Sequence, residues 1–227
     1  NIPTAKFKSA NSEHEALMLL DNFKAPFVIK DDGLASGKGV YIVNSREEAK
    51  KALNNIFQQS EPSSKSVVLE EFLEGEEASY FVLTDGQNIL PLGSAQDHKR
   101  AFENDLGPNT GGMGAYSPAS NISPQIEKKI IDTIVKPTLD EMNRNGTPFS
   151  GILYAGLMIT KNGPYLIEYN ARLGDPECQV LAVRLGGQLL DALLNCAQKK
   201  LLETKISYAD DLAITVVMAT KGYPEKY

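Results

Sequence analysis

Two side chains, Glu168 and Asn170, stand two positions apart in the alternating run Leu166-Ile167-Glu168-Tyr169-Asn170. In a strand such residues share one face. A carboxylate beside an amide oxygen suits Mg²⁺, a hard cation that takes one or two protein oxygens and completes its shell with phosphate and water. An ordinary polar strand face is the competing reading. The context against it is the next turn, Arg172-Leu173-Gly174-Asp175-Pro176-Glu177. There Arg172 can hold a phosphate oxygen or stabilise charge moving between phosphate and carboxylate.

A second candidate is the run Gly33-Leu34-Ala35-Ser36-Gly37-Lys38-Gly39. It is not a Walker loop: only three residues separate Gly33 from Gly37, and Gly39 follows the lysine where Ser or Thr is required. It is not a dinucleotide fingerprint either, because Ile42 takes the third glycine position. Glycines still let backbone N–H groups approach an anion. Lys38 can cover a phosphate from the loop and Lys30 can meet it from the preceding strand. A flexible hairpin with solvated lysines is the alternative.

Two further segments are polar enough to bind. Glu70 to Glu77 holds five acids in eight residues, directly after the apolar Val67-Val68-Leu69. A charge run is usually a solvated face, but this one also offers backbone groups and carboxylates for an adenine and a ribose. Asp97-His98-Lys99-Arg100 sets three potential cations beside an acid, and Gly107-Pro108-Asn109-Thr110-Gly111-Gly112-Met113-Gly114 follows. Such a loop can wrap a small polar substrate. His98 is read as a hydrogen-bonding or structural residue rather than a general base.

The elements that must position these groups mix helix and strand. Ser12 with Glu15, and Ser45 with Glu48, are capping-box signals for helices, the second ending near Gln58. Strands are expected at 27–30, 40–43 and 67–71. A hairpin is expected over 78–92 around Asp85-Gly86, and two strands over 151–169 joined at Asn162-Gly163. Ser123-Pro124 opens a long helix toward Met142. Helical stretches follow around 180–185 and 189–202, and Ile214 to Met218 reads as a strand. Residues 100–120 show little periodicity and are expected to form a long loop. The pattern is α+β with antiparallel hairpins, not the alternation of a doubly wound sheet.

The chain has 227 residues and a net charge of -6 from 29 acidic and 23 basic residues. That balance argues against a general nucleic-acid or anionic-membrane binder. No apolar run approaches the roughly 20 residues of a membrane span, and no leader peptide is read at the start. Cys178 and Cys196 lack metal-ligand spacing and form no disulfide framework, so a cytoplasmic setting is expected. The start Asn1-Ile2-Pro3 and the end at Tyr227 lead us to expect a piece of a longer chain.

Together these segments resemble the ATP-grasp superfamily and, within it, the phosphoribosylamine–glycine ligases. The matching runs are 29–40, 70–79, 96–100, 107–118, 154–158 and 168–177, in the family's order. The first two are superfamily-wide; Asp97–Arg100, the 107–118 loop and Arg172–Glu177 are specific to this ligase.

The resemblance implies an α+β ATP-grasp fold of two lobes, each with a largely antiparallel sheet and helices, with the nucleotide between them. It implies a lead-in over 1–22, a small lobe over 23–86, a large lobe over 87–204 and the start of a further domain at 205–227. The implied reaction is ATP-dependent ligation of glycine to 5-phosphoribosylamine through glycyl phosphate, in purine synthesis. ATP would be held by Lys30, Gly33, Ser36, Gly37, Lys38, Gly39, Glu70, Glu71, Leu73 and Glu77. Mg²⁺ or Mn²⁺ would be held by Glu168 and Asn170. The other substrates would meet Asp97, His98, Lys99, Arg100, Asn109, Thr110, Gly111, Gly112, Arg172, Gly174 and Asp175, with Arg172 and Asp97 catalytic.

The family pattern commonly has a small apolar residue at Asp31 and alanine at Ser36. Asp31 is therefore expected to face solvent. Where many ATP-grasp enzymes carry an acidic metal ligand, this chain has Leu157, as its own family does. A monomer without nucleic-acid or membrane partners is expected. A carboxylating ATP-grasp enzyme and a nucleotide-binding fragment without turnover remain the alternatives, and the 107–118 loop speaks against the first.

Overall fold

The computed structural model describes residues 2–33, 39–59 and 66–224. The chain divides into two compact units, Thr4–Glu74 and Gly75–Tyr227 with Asn1–Pro3. The first holds β1 (Phe7–Ala10), α1 (Glu13–Leu19), β2 (Phe27–Asp31), β3 (Val40–Val43), α2 (Arg46–Gln59) and β4 (Val67–Glu71). Its strands form one antiparallel sheet in the order β1-β4-β2-β3.

Both helices start as the capping signals require. Ser12 Oγ accepts from Glu15 N at 3.2 Å, and the Glu15 carboxylate accepts from Asn11 N at 2.9 Å. Ser45 and Glu48 repeat the arrangement at 3.2 and 2.9 Å. In both, the returning carboxylate reaches the residue before the cap. Leu20, Ile29, Leu53 and Leu69 form the buried centre. β1 was not anticipated: of its four residues only Ala10 is buried, so no alternation marks it.

The second unit holds β5 (Glu76–Thr84), β6 (Ile89–Asp97), β7 (Arg100–Phe102), β8 (Leu106–Asn109) and β9 (Gly114–Ser117). Then come α3 (Pro124–Ile130), a π-helical stretch (Ile131–Val135), α4 (Lys136–Arg144), β10 (Gly151–Thr160) and β11 (Gly163–Asn170). It ends with α5 (Glu177–Leu185), α6 (Gln188–Ala197) and β12 (Ala213–Val216). Six strands pair antiparallel in the order β11-β10-β5-β6-β9-β12, and β7-β8 form a separate ribbon.

Both faces of the six-stranded sheet are covered. Tyr80 and Val82 turn to one side with Ile130, Ile134 and Leu157. Phe81 and Leu83 turn to the other with Tyr154, Val180 and Leu181. The central strand β5 is therefore an unbroken apolar run over 80–83. Each such side chain taken from water contributes about 1.5–3 kcal/mol before entropy is counted. At the β5–β6 turn, Asp85 accepts from the backbone N–H groups of Gln87 and Asn88 at 3.1 and 2.8 Å.

The expectation of a structureless loop over 100–120 is corrected. This stretch contains β7, β8 and β9. Strands of three or four residues rich in Gly, Pro and Asn are too short to show a period of two. Among the described residues, no single helix is long and apolar enough to cross a membrane.

Candidate functional site

The register of the six-stranded sheet sets its polar groups on one face. Asn170 stands opposite Tyr154, and Glu168 opposite Gly156. Across β10, Tyr154 faces Phe81 and Gly156 faces Ser79. Directly opposed residues share a face. The Phe81 and Tyr154 rings are indeed 4.6 Å apart. On that face Asn170 Nδ2 donates to Glu168 Oε1 at 3.2 Å. Glu168 is exposed and Asn170 half-buried. Leu157 is fully buried in the core on the opposite face.

Asp97 ends β6, and Lys99 follows two residues on. The Lys99 ammonium lies 2.9 Å from a Glu77 oxygen and 3.8 Å from an Asp97 oxygen. Burial works against its charge, but Glu77, Asp97 and Glu168 outweigh that and hold the ammonium above its ordinary range. The Asp97 side chain is 8% exposed. Burial pushes its carboxyl above the usual carboxylate range; Lys99 opposes this, while Glu177 and Glu77 add to it.

The predicted substrate segments are tied together by backbone. Thr110 N and its hydroxyl both donate to Lys99 O, at 2.7 and 2.9 Å. Met113 N donates to His98 O at 2.7 Å, and His98 N to Gly114 O at 2.9 Å. Arg100 donates to Gly107 O at 2.8 Å and pairs in register with Asn109. Gly111 N donates to the Tyr223 hydroxyl at 3.3 Å. The His98 ring lies 6.1 Å from Tyr116, at the wall of a cavity of about 250 Å³ shared with Met113, Ile214 and Val216.

Gly112 has φ +124, and a Cβ there would stand 2.4 Å from Pro176 Cδ. This close approach brings the 107–114 loop against the turn 172–177. In that turn Arg172 is exposed and donates to Leu173 O at 2.8 Å. Asp175 accepts from Gln179 Nε2 at 2.8 Å.

Within Thr4–Glu74, Lys30 Nζ is 2.8 Å from Glu70, both side chains largely buried. The Glu71 carboxylate accepts from Lys6 N at 2.9 Å, and Glu71 N donates to Lys6 O at 3.0 Å. Leu73 lies half-buried just beyond β4. Gly39 O accepts from Asp31 N at 2.9 Å. Asp31 was expected to face solvent; it is half-buried, and a Cβ on Gly33 would be 3.3 Å from its oxygen. Ser36, Gly37 and Lys38 lie outside the described residues.

Three residues were assigned no role from the sequence. Glu177 is 2% exposed and accepts from the hydroxyls of Tyr154 and Ser79 at 2.8 and 3.0 Å. They are far apart in the chain, so no spacing could have joined them.

The residues present fit a divalent cation. Glu168 offers carboxylate oxygens and Asn170 an amide oxygen on one face of the sheet, and Lys99 lies among Glu77, Asp97 and Glu168. Among the described residues, no group of three or more His, Cys, Asp or Glu is arranged for a metal. A site completed by phosphate and water does not need one.

The two antiparallel units and this sheet-face site define an ATP-grasp domain. The fold recurs in a biotin carboxylase from Campylobacter jejuni, with a TM-score of 0.69, 16% identity, and coverage of 94% of this chain and 46% of that one. More narrowly, the family model for the phosphoribosylglycinamide synthetase ATP-grasp (A) domain matches residues 1–178, and the chain belongs to that family. A phosphoribosylamine–glycine ligase from Mesorhizobium japonicum is 51% identical over 225 residues, covering 99% of this chain and 53% of the relative. The chloroplastic ligase of Arabidopsis thaliana is 48% identical, covering 100% of this chain and 43% of the relative. The crystal structure of the Thermotoga maritima ligase matches with a TM-score of 0.89 and 36% identity, covering 98% of this chain and 56% of that one. The chain thus spans about half the length of the bacterial relatives it matches.

Proposed function

We propose that this chain is the ATP-grasp part of a phosphoribosylamine–glycine ligase. The whole protein would join glycine to 5-phosphoribosylamine, giving glycinamide ribonucleotide, ADP and phosphate. The observation that carries the reading is the joining of 98–100, 107–114 and 172–177 through Thr110 and Gly112. These are the segments specific to the ligase resemblance. The names of the relatives support the same activity.

In this reading Thr4–Glu74 supplies the nucleotide groups. Lys30 and the glycine-rich run 33–39 hold the phosphates, and Glu70, Glu71 and Leu73 meet adenine, partly by backbone. Glu77 meets the ribose, exchanging its contact with Lys99. Glu168 and Asn170 hold magnesium or manganese, which would neutralise phosphate oxygens. A glycine carboxylate oxygen attacks the γ-phosphorus and ADP leaves. The amine of phosphoribosylamine then attacks the acyl carbon, phosphate leaves, and the nitrogen gives up a proton. Arg172 stabilises the charge moving between phosphate and carboxylate. Asp97, made more basic by burial, takes the proton in this reading. His98, Lys99, Arg100, Asn109, Thr110, Gly111, Gly112, Gly174 and Asp175 enclose the two smaller substrates.

The acidic chain and its two free thiols accord with a monomeric cytoplasmic enzyme that takes small substrates rather than nucleic acid. The full-length protein tests the proposal. ADP release should require glycine and phosphoribosylamine together. Bicarbonate-dependent release without glycine would replace it with a carboxylase, and nucleotide binding without turnover would leave only a binding domain.

A further inference from the structure

The Glu177 carboxylate is a buried charge at the first residue of α5. Burying a charge is costly unless it is hydrogen-bonded or paired. Here one oxygen accepts from the Tyr154 hydroxyl at 2.8 Å and the Ser79 hydroxyl at 3.0 Å, and those hydroxyls are 2.8 Å apart. The start of a helix also favours a negative charge. An apolar side chain would pack the same place without the desolvation penalty, so packing alone does not explain a carboxylate.

The second carboxylate oxygen shows what the group is against. A Cβ on Gly174 would stand 2.2 Å from Glu177 Oε2. The carboxylate therefore occupies the space that a side chain at 174 would need. On the other side of the turn, Pro176 fills the space beside Gly112. The donors come from the next two strands of the sheet beyond the Glu168–Asn170 strand: Tyr154 on β10 is opposite Asn170, and Ser79 on β5 and Glu168 are both opposite Gly156.

We infer that Glu177, held by Ser79 and Tyr154, is a positioning residue that sets the backbone of 172–175 for the amino-acid substrate. It touches no reacting atom; it acts through Gly174. The inference rests on the ligase reading above and adds a specific dependence to it.

Steady-state kinetics of the full-length enzyme test it, with glycine and ATP varied separately. In Tyr154→Phe and in Glu177→Gln the KM for glycine should rise about tenfold, as expected when a reactant is misplaced. The KM for ATP should stay within about twofold. Gly174→Ala, which pushes on the carboxylate from the other side, should show the same split. A purely structural role would lower the melting temperature and leave the KM for glycine unchanged. If Glu177→Gln does not fold, Tyr154→Phe and Ser79→Ala still decide, because each removes one hydroxyl. Glycine-dependent turnover in the wild type with an unchanged KM for glycine in these variants overturns the inference alone. Absence of glycine-dependent ADP release in the wild type overturns the ligase reading and the inference with it.

Discussion

Lys30 and Lys99 both sit among carboxylates, yet their surroundings differ in charge balance. In the four-stranded sheet Lys30 has one close partner, Glu70 at 2.8 Å, and the pair is about four-fifths buried. In the six-stranded sheet Lys99 is drawn upward by Glu77, Asp97 and Glu168 together, and Glu177 adds to the charge acting on Asp97. The first arrangement is closed and nearly neutral. The second carries surplus negative charge, which a divalent cation or an ammonium group would offset. The count of charged partners, more than the presence of a lysine, distinguishes the two surroundings.

The largest expected effect tests the surplus directly. Glu168→Ala should lower Mg²⁺-dependent turnover of the full-length enzyme about 100-fold or more. Because Glu168 is exposed, its melting temperature should barely move. Unchanged turnover would remove the metal assignment and leave the cluster a solvated polar face.

Gly112→Ala should cost about 2–3 kcal/mol in denaturant unfolding, since it adds a Cβ against Pro176 at a positive φ. A loss below about 0.5 kcal/mol would mean that the 107–114 loop moves freely from the 172–177 turn.

Replacing each lysine by methionine contrasts the regions. Lys30→Met should cost about 1 kcal/mol, by stranding one largely buried carboxylate. Lys99 is 42% exposed, so Lys99→Met should cost a similar amount in buffer. Added Mg²⁺ should then raise the melting temperature of Lys99→Met more than that of Lys30→Met. Equal responses would break the comparison.

The smallest effect concerns Asp97. Its carboxyl is raised by burial, then opposed by Lys99, so the folded state holds the proton more tightly than the unfolded chain. Stability from this group is present below the unfolded value near 3.9 and lost as pH rises through the higher folded value. Asp97→Asn should therefore be more stable than wild type at pH 7. Urea titrations should show the gap closing as pH falls toward about 4. A gap that widens in acid would refute the assigned direction.

Much of this molecule was readable in local order. The capping boxes at Ser12 and Ser45, the Asp85-Gly86 hairpin and the alternation at 166–170 are short-range signals, and each appears in the fold where its chemistry places it. The short strands of 100–117 were not readable: β7 and β8 are too short to show a period of two, and β9 pairs with the distant β6 and β12. The same limit hid the roles of Ser79, Tyr154 and Glu177.

The sequence by itself determined the α+β class, the main strands and helices, and the Glu168–Asn170 pair, since caps, turns and two-residue alternation act within a few residues. Only the tertiary structure decided that Lys99 lies among three carboxylates, that Gly112 must make room for Pro176, and that Glu177 rests on two hydroxyls from strands β5 and β10. Those facts depend on sheet register and side-chain volume, which bring together residues dozens of positions apart and leave no mark on local spacing.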